Sequence, residues 1–301
     1  MYYYSLSDKN GYIYSIDNCI LSYSLTCSLD YALKTLHDMG CNRSGYYERL
    51  NLSNCPKYMF YRNHIHYDDG IYLKLGKYSL YLEKERKYEL LPMFSVEVNP
   101  NKHYQKDSFK EILQFINKNC TDGNLDKYDF AIDIPVKLND VQIFGSRKEK
   151  GLYKGTRNYG QRNKNGYCKI YDKSKESKLT SDLVRVEHTC VTKEKLSLEK
   201  FYILDSNVVS DLSDLNASRR ALVEMIMRMR EYDVPYDDII DKMDRATRMR
   251  LQPYISGGYT EYQYELDILN QLLDHMKDTF HIQYTDAFGF IHGIDEPLPF
   301  D

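Results

Sequence analysis

Short strand-like segments, punctuated by Gly and Asn, fill most of the first two thirds of this 301-residue sequence. They are rich in Tyr, Ile, Leu and Val, which favour a pleated, half-buried surface. Two helical segments interrupt them: SLDYALKTLHDMG, with Ser28 or Asp30 as a candidate N-cap, and SFKEILQFINKNC, which opens on a Ser108-x-x-Glu111 capping-box pattern. Short strands joined by tight turns predict a central antiparallel sheet with helices on one face, which is an α+β fold.

The character of the sequence changes near residue 205. Three amphipathic helical segments follow, and they predict a small all-helical C-terminal domain at 205–301 behind an α+β domain at 1–204. The stretch 205–214 is the expected linker.

The helical segments carry recognisable start and stop signals. The first begins near Asn216 or Ser218, and the second is expected to start at Pro235 and to end at Pro253. Short turns between them are compatible with a helix-turn-helix, although this spacing is generic.

Several protein classes are disfavoured by the sequence. No apolar run approaches the roughly 20 residues that span a bilayer. The first residues, MYYYSLSDKNGYIYSI, lack the basic-then-apolar order of a signal peptide, so the chain is expected to be cytoplasmic. Its 7 cysteines form no CxxC pair, which argues against a disulfide framework or a structural zinc site.

The formal net charge of −3 conceals a marked asymmetry along the chain. Residues 145–178 hold 11 Lys and Arg against 3 Asp and Glu, whereas residues 231–301 hold 5 against 15. The middle of the chain therefore suits a polyanionic partner such as DNA, and the tail as a whole does not.

Three predicted strands carry an acid at their centre, opposite their aliphatic residues: Glu97 in SVEVN, Asp133 in FAIDIPV and Glu187 in LVRVEHT. Neighbouring acids repel one another unless positive charge lies among them. Mg²⁺ and Mn²⁺ prefer oxygen ligands of this kind, so the pattern indicates a carboxylate metal site. The alternative is a set of solvated acids paired with Lys and Arg.

The stretch NGYCKIYDKSKES, residues 165–177, places a phenol between two ammonium groups. If the strand continues through it, Tyr167, Lys169, Tyr171 and Lys173 share one face. A free phenol titrates near pH 10, and neighbouring cations stabilise its phenolate. Tyr171 is therefore the candidate nucleophile for phosphoryl transfer, with Lys169 and Lys173 beside it; the alternative is a half-buried aromatic on a sheet.

The order of these motifs, from HYDDGIYLKLG through FSVEVNP, KYDFAIDIP and GYCKIYDKSKE to LVRVEHTCV, resembles the rolling-circle replication initiation factor family of plasmids and filamentous phages. The resemblance runs from about His66 to Val191. It implies a rolling-circle nickase-like fold and an initiator that nicks and rejoins one origin strand through a tyrosine, here Tyr171. The nick leaves a 3′-hydroxyl primer.

The resemblance also implies a cofactor and partners. The metal would be Mg²⁺ or Mn²⁺, held by Glu97, Asp133 and Glu187, with His66 as a further candidate ligand. The partners it implies are origin DNA first, then a host helicase or polymerase, and a second copy of the chain in a homodimer. The candidate DNA contacts are basic side chains: Arg147, Lys148, Lys154, Arg157, Arg162, Lys164 and Arg185.

Some assignments stay open at this level. His64 and His66 match the two-histidine metal motif of the wider superfamily, but the phage-type members match only the end of that segment. Tyr153 or Tyr159 in the long basic loop are alternative nucleophiles. The competing functions are an origin-binding initiator that does not nick, and a conjugative relaxase.

Overall fold

The computed structural model describes ten stretches of the chain: residues 4–40, 59–67, 70–82, 86–144, 150–153, 155–204, 211–232, 234, 236–285 and 291–292. Its strands, in chain order, are β1 (Ser5–Ser7), β2 (Ile13–Leu25), β3 (Met59–Tyr67), β4 (Ile71–Leu82), β5 (Lys87–Val98), β6 (Cys120–Ile134), β7 (Val141–Gln142), β8 (Lys150–Tyr153), β9 (Thr156–Tyr159), β10 (Tyr167–Asp172), β11 (Val184–Val191), β12 (Tyr202–Leu204), β13 (Tyr259–Glu261), β14 (Ile282–Thr285) and β15 (Ile291–His292). Its helices are α1 (Leu29–Asp38), α2 (Pro100–His103), α3 (Asp107–Asn119), α4 (Lys173–Ser177), α5 (Ala217–Glu231), α6 (Asp237–Lys242), α7 (Arg245–Ile255) and α8 (Leu266–Phe280).

The chain divides into two compact units. Unit 1 comprises Met1–Ala131, Thr189–Ser197 and Glu265–Asp301, and unit 2 comprises Ile132–His188 and Leu198–Tyr264. This division differs from the predicted boundary between residues 204 and 205. The segment that was expected to form one helical domain is shared between the units at Tyr264 and Glu265.

Unit 1 is built on an antiparallel sheet with the strand order β3-β4-β5-β2-β6. Strand β1 pairs antiparallel with β2, and β14 adds to β6 in parallel. Apolar residues of the central strands are fully buried, for example Leu21 in β2, Val96 in β5 and Phe130 in β6. The predicted α+β class, with a large antiparallel sheet and several helices, is confirmed.

Helix α8 belongs to unit 1 because of its apolar stripe. The stripe contacts β1 and β2, and its buried members are Leu269, Leu272, Leu273, Met276 and Phe280. The Tyr23 hydroxyl donates to the Phe280 carbonyl at 3.0 Å, and Phe109 of α3 packs edge-to-face on the Phe280 ring. A stripe of this kind must be buried, and the sheet of unit 1 buries it.

The two capping predictions have different outcomes. Ser28 does cap α1, since its side chain accepts from the Tyr31 backbone N–H at 3.2 Å. The capping box at Ser108 is wrong, because the N-cap of α3 is Lys106, two residues before Ser108, and it makes no side-chain cap hydrogen bond. Glu111 instead accepts a hydrogen bond from the Tyr67 hydroxyl.

Unit 2 contains two small sheets. In the first, β11, β10, β9 and β8 lie side by side, and the end of β6 flanks β11. Strands β10 and β9 are antiparallel, with Lys169 opposite Asn158. In the second, β12 lies between β7 and β13 and is antiparallel to both.

Helices α5, α6 and α7 of unit 2 share one apolar core. Its buried members are Leu215, Val223, Ile226, Tyr236, Leu251 and Ile255. A single helix was predicted between Pro235 and Pro253. The structure has two helices there, because Met243 and Asp244 are not helical. Pro253 lies inside α7 rather than at its end. Within the described ranges, none of the helices combines the length and apolar character needed to cross a bilayer.

Candidate active site

Tyr171 lies on β10 next to the central acid of the neighbouring strand. Its hydroxyl donates to Oε2 of Glu187 at 3.4 Å, and the ammonium of Lys169 forms an ion pair with Oε1 of the same carboxylate. Glu187 is buried at 5% exposure, whereas Tyr171 is half-buried. The predicted grouping of Tyr171, Lys169 and Glu187 therefore forms one constellation of a phenol, a cation and a carboxylate.

The position of Lys173 differs from the sequence interpretation. Strand β10 ends at Asp172, so Lys173 is the first residue of α4 rather than part of the strand face. Its ammonium nevertheless lies 6.0 Å from the centroid of the Tyr171 ring, and it also pairs with Glu176 at 2.5 Å. The phenol thus has a cation at its ring as well as one beside its carboxylate partner.

Asp172 stabilises the junction at which β10 ends and α4 begins. Its side chain accepts hydrogen bonds from the Lys175 backbone N–H at 2.9 Å and from the Ser174 hydroxyl at 2.6 Å. Burial alone would raise the pKa of Asp172, but these bonds together with the Lys175 charge outweigh burial and lower it. Asp172 therefore caps α4 as a carboxylate and holds Lys173 next to Tyr171.

Asp133 and Arg185 form a second polar pair, between the end of β6 and β11. The guanidinium donates from Nε to Oδ1 at 2.5 Å and from Nη2 to Oδ2 at 2.5 Å, which is a bidentate geometry. Asp133 is 8% exposed and Arg185 is 7% exposed. Both oxygens of the carboxylate are therefore engaged inside unit 2.

Strand alternation explains why these groups share one face. Val184 and Val186 of β11 are fully buried on the apolar side, so Arg185 and Glu187 lie on the other side. Because β11 lies between β6 and β10, this side presents a row of charged groups across three strands. The sequence predicted the shared face of Arg185 and Glu187. Its alternative to a metal site, acids paired with Lys and Arg, describes Asp133 and Glu187, except that both acids are buried rather than solvated.

The predicted metal ligands are distributed as follows. Asp133 and Glu187 lie in unit 2, whereas Glu97 lies on β5 of unit 1, where Asn18 donates to its carboxylate at 3.2 Å. The backbones of His64 and His66 lie in β3, but their side chains fall outside the described part of the structure. Among the described residues, no group of three or more His, Cys, Asp or Glu side chains is arranged to hold a metal ion.

The predicted DNA contacts fall into three groups. Arg162 and Lys164 are exposed, as the prediction requires. Arg147, Lys148 and Lys154 lie outside the described residues.

Arg157 and Arg185 form the third group, and for these two the expected exposure is wrong. Arg157 is 3% exposed, and its guanidinium donates to the Val141 carbonyl and to Oδ1 of Asn139, both at 2.7 Å. It connects β9 to β7 and to the residues just before β7. Arg185 is similarly enclosed by its pair with Asp133.

The two alternative nucleophiles occupy contrasting positions. Tyr153 on β8 is 67% exposed, whereas Tyr159 on β9 is buried at 2% exposure. Burial keeps Tyr159 away from any DNA phosphate in this arrangement. Tyr171 combines partial exposure with a hydrogen bond to a carboxylate, which is the geometry that a nucleophile and its base require.

No family model matches the sequence, and no curated protein matches it. Among solved structures, the chain is similar to one described as a rolling circle replication initiator protein from Geobacillus stearothermophilus. The two share 11% sequence identity at a TM-score of 0.32, over 88% of this chain and 97% of the other. An overlap of this quality is too loose to assign a function.

Proposed function

We propose that this protein is a plasmid or phage replication initiator that binds origin DNA and nicks one strand through Tyr171. The observation that carries the proposal is the hydrogen bond from the Tyr171 hydroxyl to Glu187, a carboxylate that also pairs with Lys169. The order of motifs along the sequence supports the same function. So does the basic segment that surrounds Tyr171.

Glu187 is the general base in this proposal. A phenol is a poor nucleophile at neutral pH, and a carboxylate in hydrogen-bond contact removes its proton as it attacks. The 3.4 Å separation is longer than an ideal bond, but such contacts commonly tighten when substrate binds. Lys169 pairs with the other oxygen of Glu187 and so supplies a counter-charge to this buried carboxylate.

The nicking step then balances as follows. The Tyr171 oxygen attacks the phosphorus, and the phenol proton passes to Glu187. The bond from phosphorus to the 3′ oxygen breaks, and the proton held by Glu187 is returned to that oxygen through water, which gives a free 3′-hydroxyl and restores the carboxylate. The product is a 5′-phosphotyrosyl link, and attack by a 3′-hydroxyl reverses the step and rejoins the strand.

The two lysines supply positive charge where negative charge develops. Lys173, beside the Tyr171 ring, stabilises the phenolate as it forms. Lys169 is 30% exposed at its side chain, so its ammonium can meet the scissile phosphate while remaining next to Glu187. Arg162 and Lys164 are exposed in the turn that precedes β10 and would contact the DNA backbone.

A requirement for Mg²⁺ or Mn²⁺ is kept as a separate part of the proposal. As they stand, the described donors do not fit a resident ion, because Arg185 engages both oxygens of Asp133 while Lys169 and Tyr171 engage those of Glu187. An ion at these acids would have to displace at least one of the cations. The step above therefore relies on the protein's own side chains.

The test uses supercoiled plasmid that carries the protein's own origin, incubated with the full chain and Mn²⁺. The expected product is a nicked circle with protein attached covalently to a 5′ end. Tyr171→Phe abolishes this adduct but retains DNA binding. Glu187→Gln slows nicking by about 10²- to 10⁴-fold, the usual range for a general base.

Tyr153→Phe is the matched control, because it removes an exposed phenol from a nearby strand of the same unit and keeps the adduct. A full adduct in Tyr171→Phe would move the nucleophile elsewhere. Binding without any adduct, in wild type and with either metal, would instead favour an initiator that does not nick. Nicking that persists in EDTA would remove the metal from the proposal.

A further inference from the structure

Helix α7 leaves its first two turns open to solvent, and these turns are strongly basic. Arg245, Arg248 and Arg250 are exposed, and α7 contains no acid. Met249, between two of the arginines, is 66% exposed. Within the described part of the chain, none of these three arginines forms an ion pair.

The rest of α7 is held in a compact three-helix core. Leu251 and Ile255, in its second half, are buried against Val223 and Ile226 of α5. Two residues, Met243 and Asp244, separate α6 from α7, and Asp244 caps α7 by accepting from the Thr247 backbone N–H at 2.9 Å. This is the plan of a helix-turn-helix, in which the second helix presents its N-terminal half to the outside.

Hydrogen bonds fix the three helices to the small sheet of unit 2. Tyr236, at the start of α6, accepts from Gln142 of β7 at 2.8 Å and shares a hydrogen bond with Tyr259 of β13 at 3.1 Å. Tyr259 donates in turn to the Asn139 carbonyl at 2.8 Å, and the guanidinium of Arg230 from α5 lies over the Tyr259 ring. Because β13 follows α7 directly, these contacts hold α7 in one orientation. A binding site is more precise when the element that carries it is held rigidly.

The charge of the exposed side chains in the first half of α7 indicates what kind of partner this helix binds. Arg245 and Arg248 lie one turn apart on α7, which carries no acid, and they match a polyanion; arginine is also the side chain that most often reads guanine in the major groove. An exposed methyl-bearing side chain such as Met249 provides an apolar contact for a thymine methyl group. Helix α6 carries exposed acids, Asp238 and Asp241, which repel phosphate and confine the contact to α7.

We propose that α7 is a recognition helix that enters the major groove of double-stranded DNA, where Arg245 and Arg248 contact base edges. The inference rests on the proposed function, since an initiator must locate its origin as a duplex before it acts on one strand. The proposal assigns recognition of the DNA sequence to α7. This helix is basic although residues 231–301, to which it belongs, carry a net negative charge. Nicking by Tyr171 and duplex reading by α7 are then separate tasks.

The test begins with selection of duplexes by the full-length protein from a random 24-base-pair library, followed by fluorescence anisotropy with the enriched duplex. Arg245→Ala and Arg248→Ala each weaken binding to it by about 5- to 150-fold, the range for loss of a bidentate base contact. On a scrambled duplex each loses far less, and the slope of log affinity against log salt decreases by about 1. Arg248→Lys keeps the salt slope but loses preference for the enriched duplex.

Two control variants test whether the loss of DNA affinity depends on where in the protein the charge is changed. Arg86→Ala removes an exposed arginine of unit 1 and leaves the affinity within about 2-fold of wild type, an effect below the range expected for a base contact. Asp238→Asn, on the helix before α7, causes no loss of affinity. Thermal melting of the α7 variants stays at the wild-type value, because the altered side chains are exposed.

The outcomes for the two proposals differ. Failure to enrich any duplex sequence, or wild-type affinity in both arginine variants, overturns the role of α7. Wild-type nicking of a single-stranded oligonucleotide by Arg248→Ala, together with its loss of duplex preference, supports that role. If wild type fails to nick at all but binds the enriched duplex through α7, the nicking proposal falls and the assignment of α7 stands.

Discussion

The buried pair of Asp133 and Arg185 offers a quantitative test of the structure. Each side chain is about nine-tenths buried, and the two hydrogen bonds between them both measure 2.5 Å. Asp133→Leu leaves the Arg185 guanidinium buried without its counter-charge, and removal of one partner from such a pair costs about 3–5 kcal/mol of unfolding free energy. With an unfolding entropy of about 2.1 cal/mol/K per residue, that corresponds at this chain length to a decrease in Tm of roughly 5–8 °C.

The pair should behave as a unit. Arg185→Met alone destabilises by a similar amount, since it leaves a buried carboxylate. The double variant Asp133→Leu/Arg185→Met recovers most of the loss, because replacement of a whole buried pair by apolar groups is often close to neutral. Urea denaturation of the four proteins therefore yields a coupling free energy of about 5–10 kcal/mol in magnitude, the summed cost of the single variants less the small cost of the double variant.

The surface pair of Lys110 and Asp107 is the matched control. Its side chains are 59% and 90% exposed, so Lys110→Met changes the unfolding free energy by at most about 0.5–1 kcal/mol. If both single variants at the buried pair also fall within about 1 kcal/mol of wild type, then the two groups are not enclosed together. Additive single effects would lead to the same conclusion.

Two further predictions concern local geometry. A Cβ at Gly123 would lie 2.5 Å from the His281 carbonyl oxygen and 2.6 Å from the Tyr23 ring, so Gly123→Ala destabilises unit 1 by about 1–3 kcal/mol in urea denaturation. Gly151→Ala, where nothing lies within 4 Å, is its control, and equal effects at both glycines would contradict the close approach of β14 to β6. Asp172→Ala removes the cap of α4 and costs about 0.5–2 kcal/mol at pH 7. Because the folded state lowers the pKa of Asp172, its contribution is complete above the unfolded value of about 3.9 and is lost as the pH falls through the folded pKa. Denaturation curves should therefore show a larger difference between variant and wild type at pH 7 than at pH 3; a difference independent of pH would rule out a charged cap.

Patterns of short range were predicted well from the sequence. Period-two alternation placed Arg185 and Glu187 on one face of a strand whose other face is aliphatic, and the structure has both on that face of β11. Ser28 was one of two candidate caps with Asp30, and it is the cap in the structure; the candidates could be named because capping depends on residues within one turn. The same local reasoning was wrong at Ser108. Glu111, its predicted partner in the capping box, accepts a hydrogen bond from Tyr67, a residue distant in sequence.

The identity of interaction partners was beyond local reasoning. Arg157 was assigned to a DNA-facing surface because its neighbours in sequence are basic, but the carbonyl of Val141 and the side chain of Asn139 enclose its guanidinium. Likewise, the acidic total of residues 231–301 concealed the basic face of α7. Composition averages over a segment, whereas a binding surface depends on which few side chains share a face.

The sequence by itself determined the α+β class, the strand faces and the candidate residues around Tyr171, because each of these follows from periodicity and residue type within a few positions. Tertiary structure alone decided that Glu187 contacts both Tyr171 and Lys169, that Asp133 is paired with Arg185, and that α8 joins unit 1 while α5–α7 join unit 2. The physical reason is that such pairings depend on which strands become neighbours and which apolar stripes are buried together, and those choices are made by the whole chain at once.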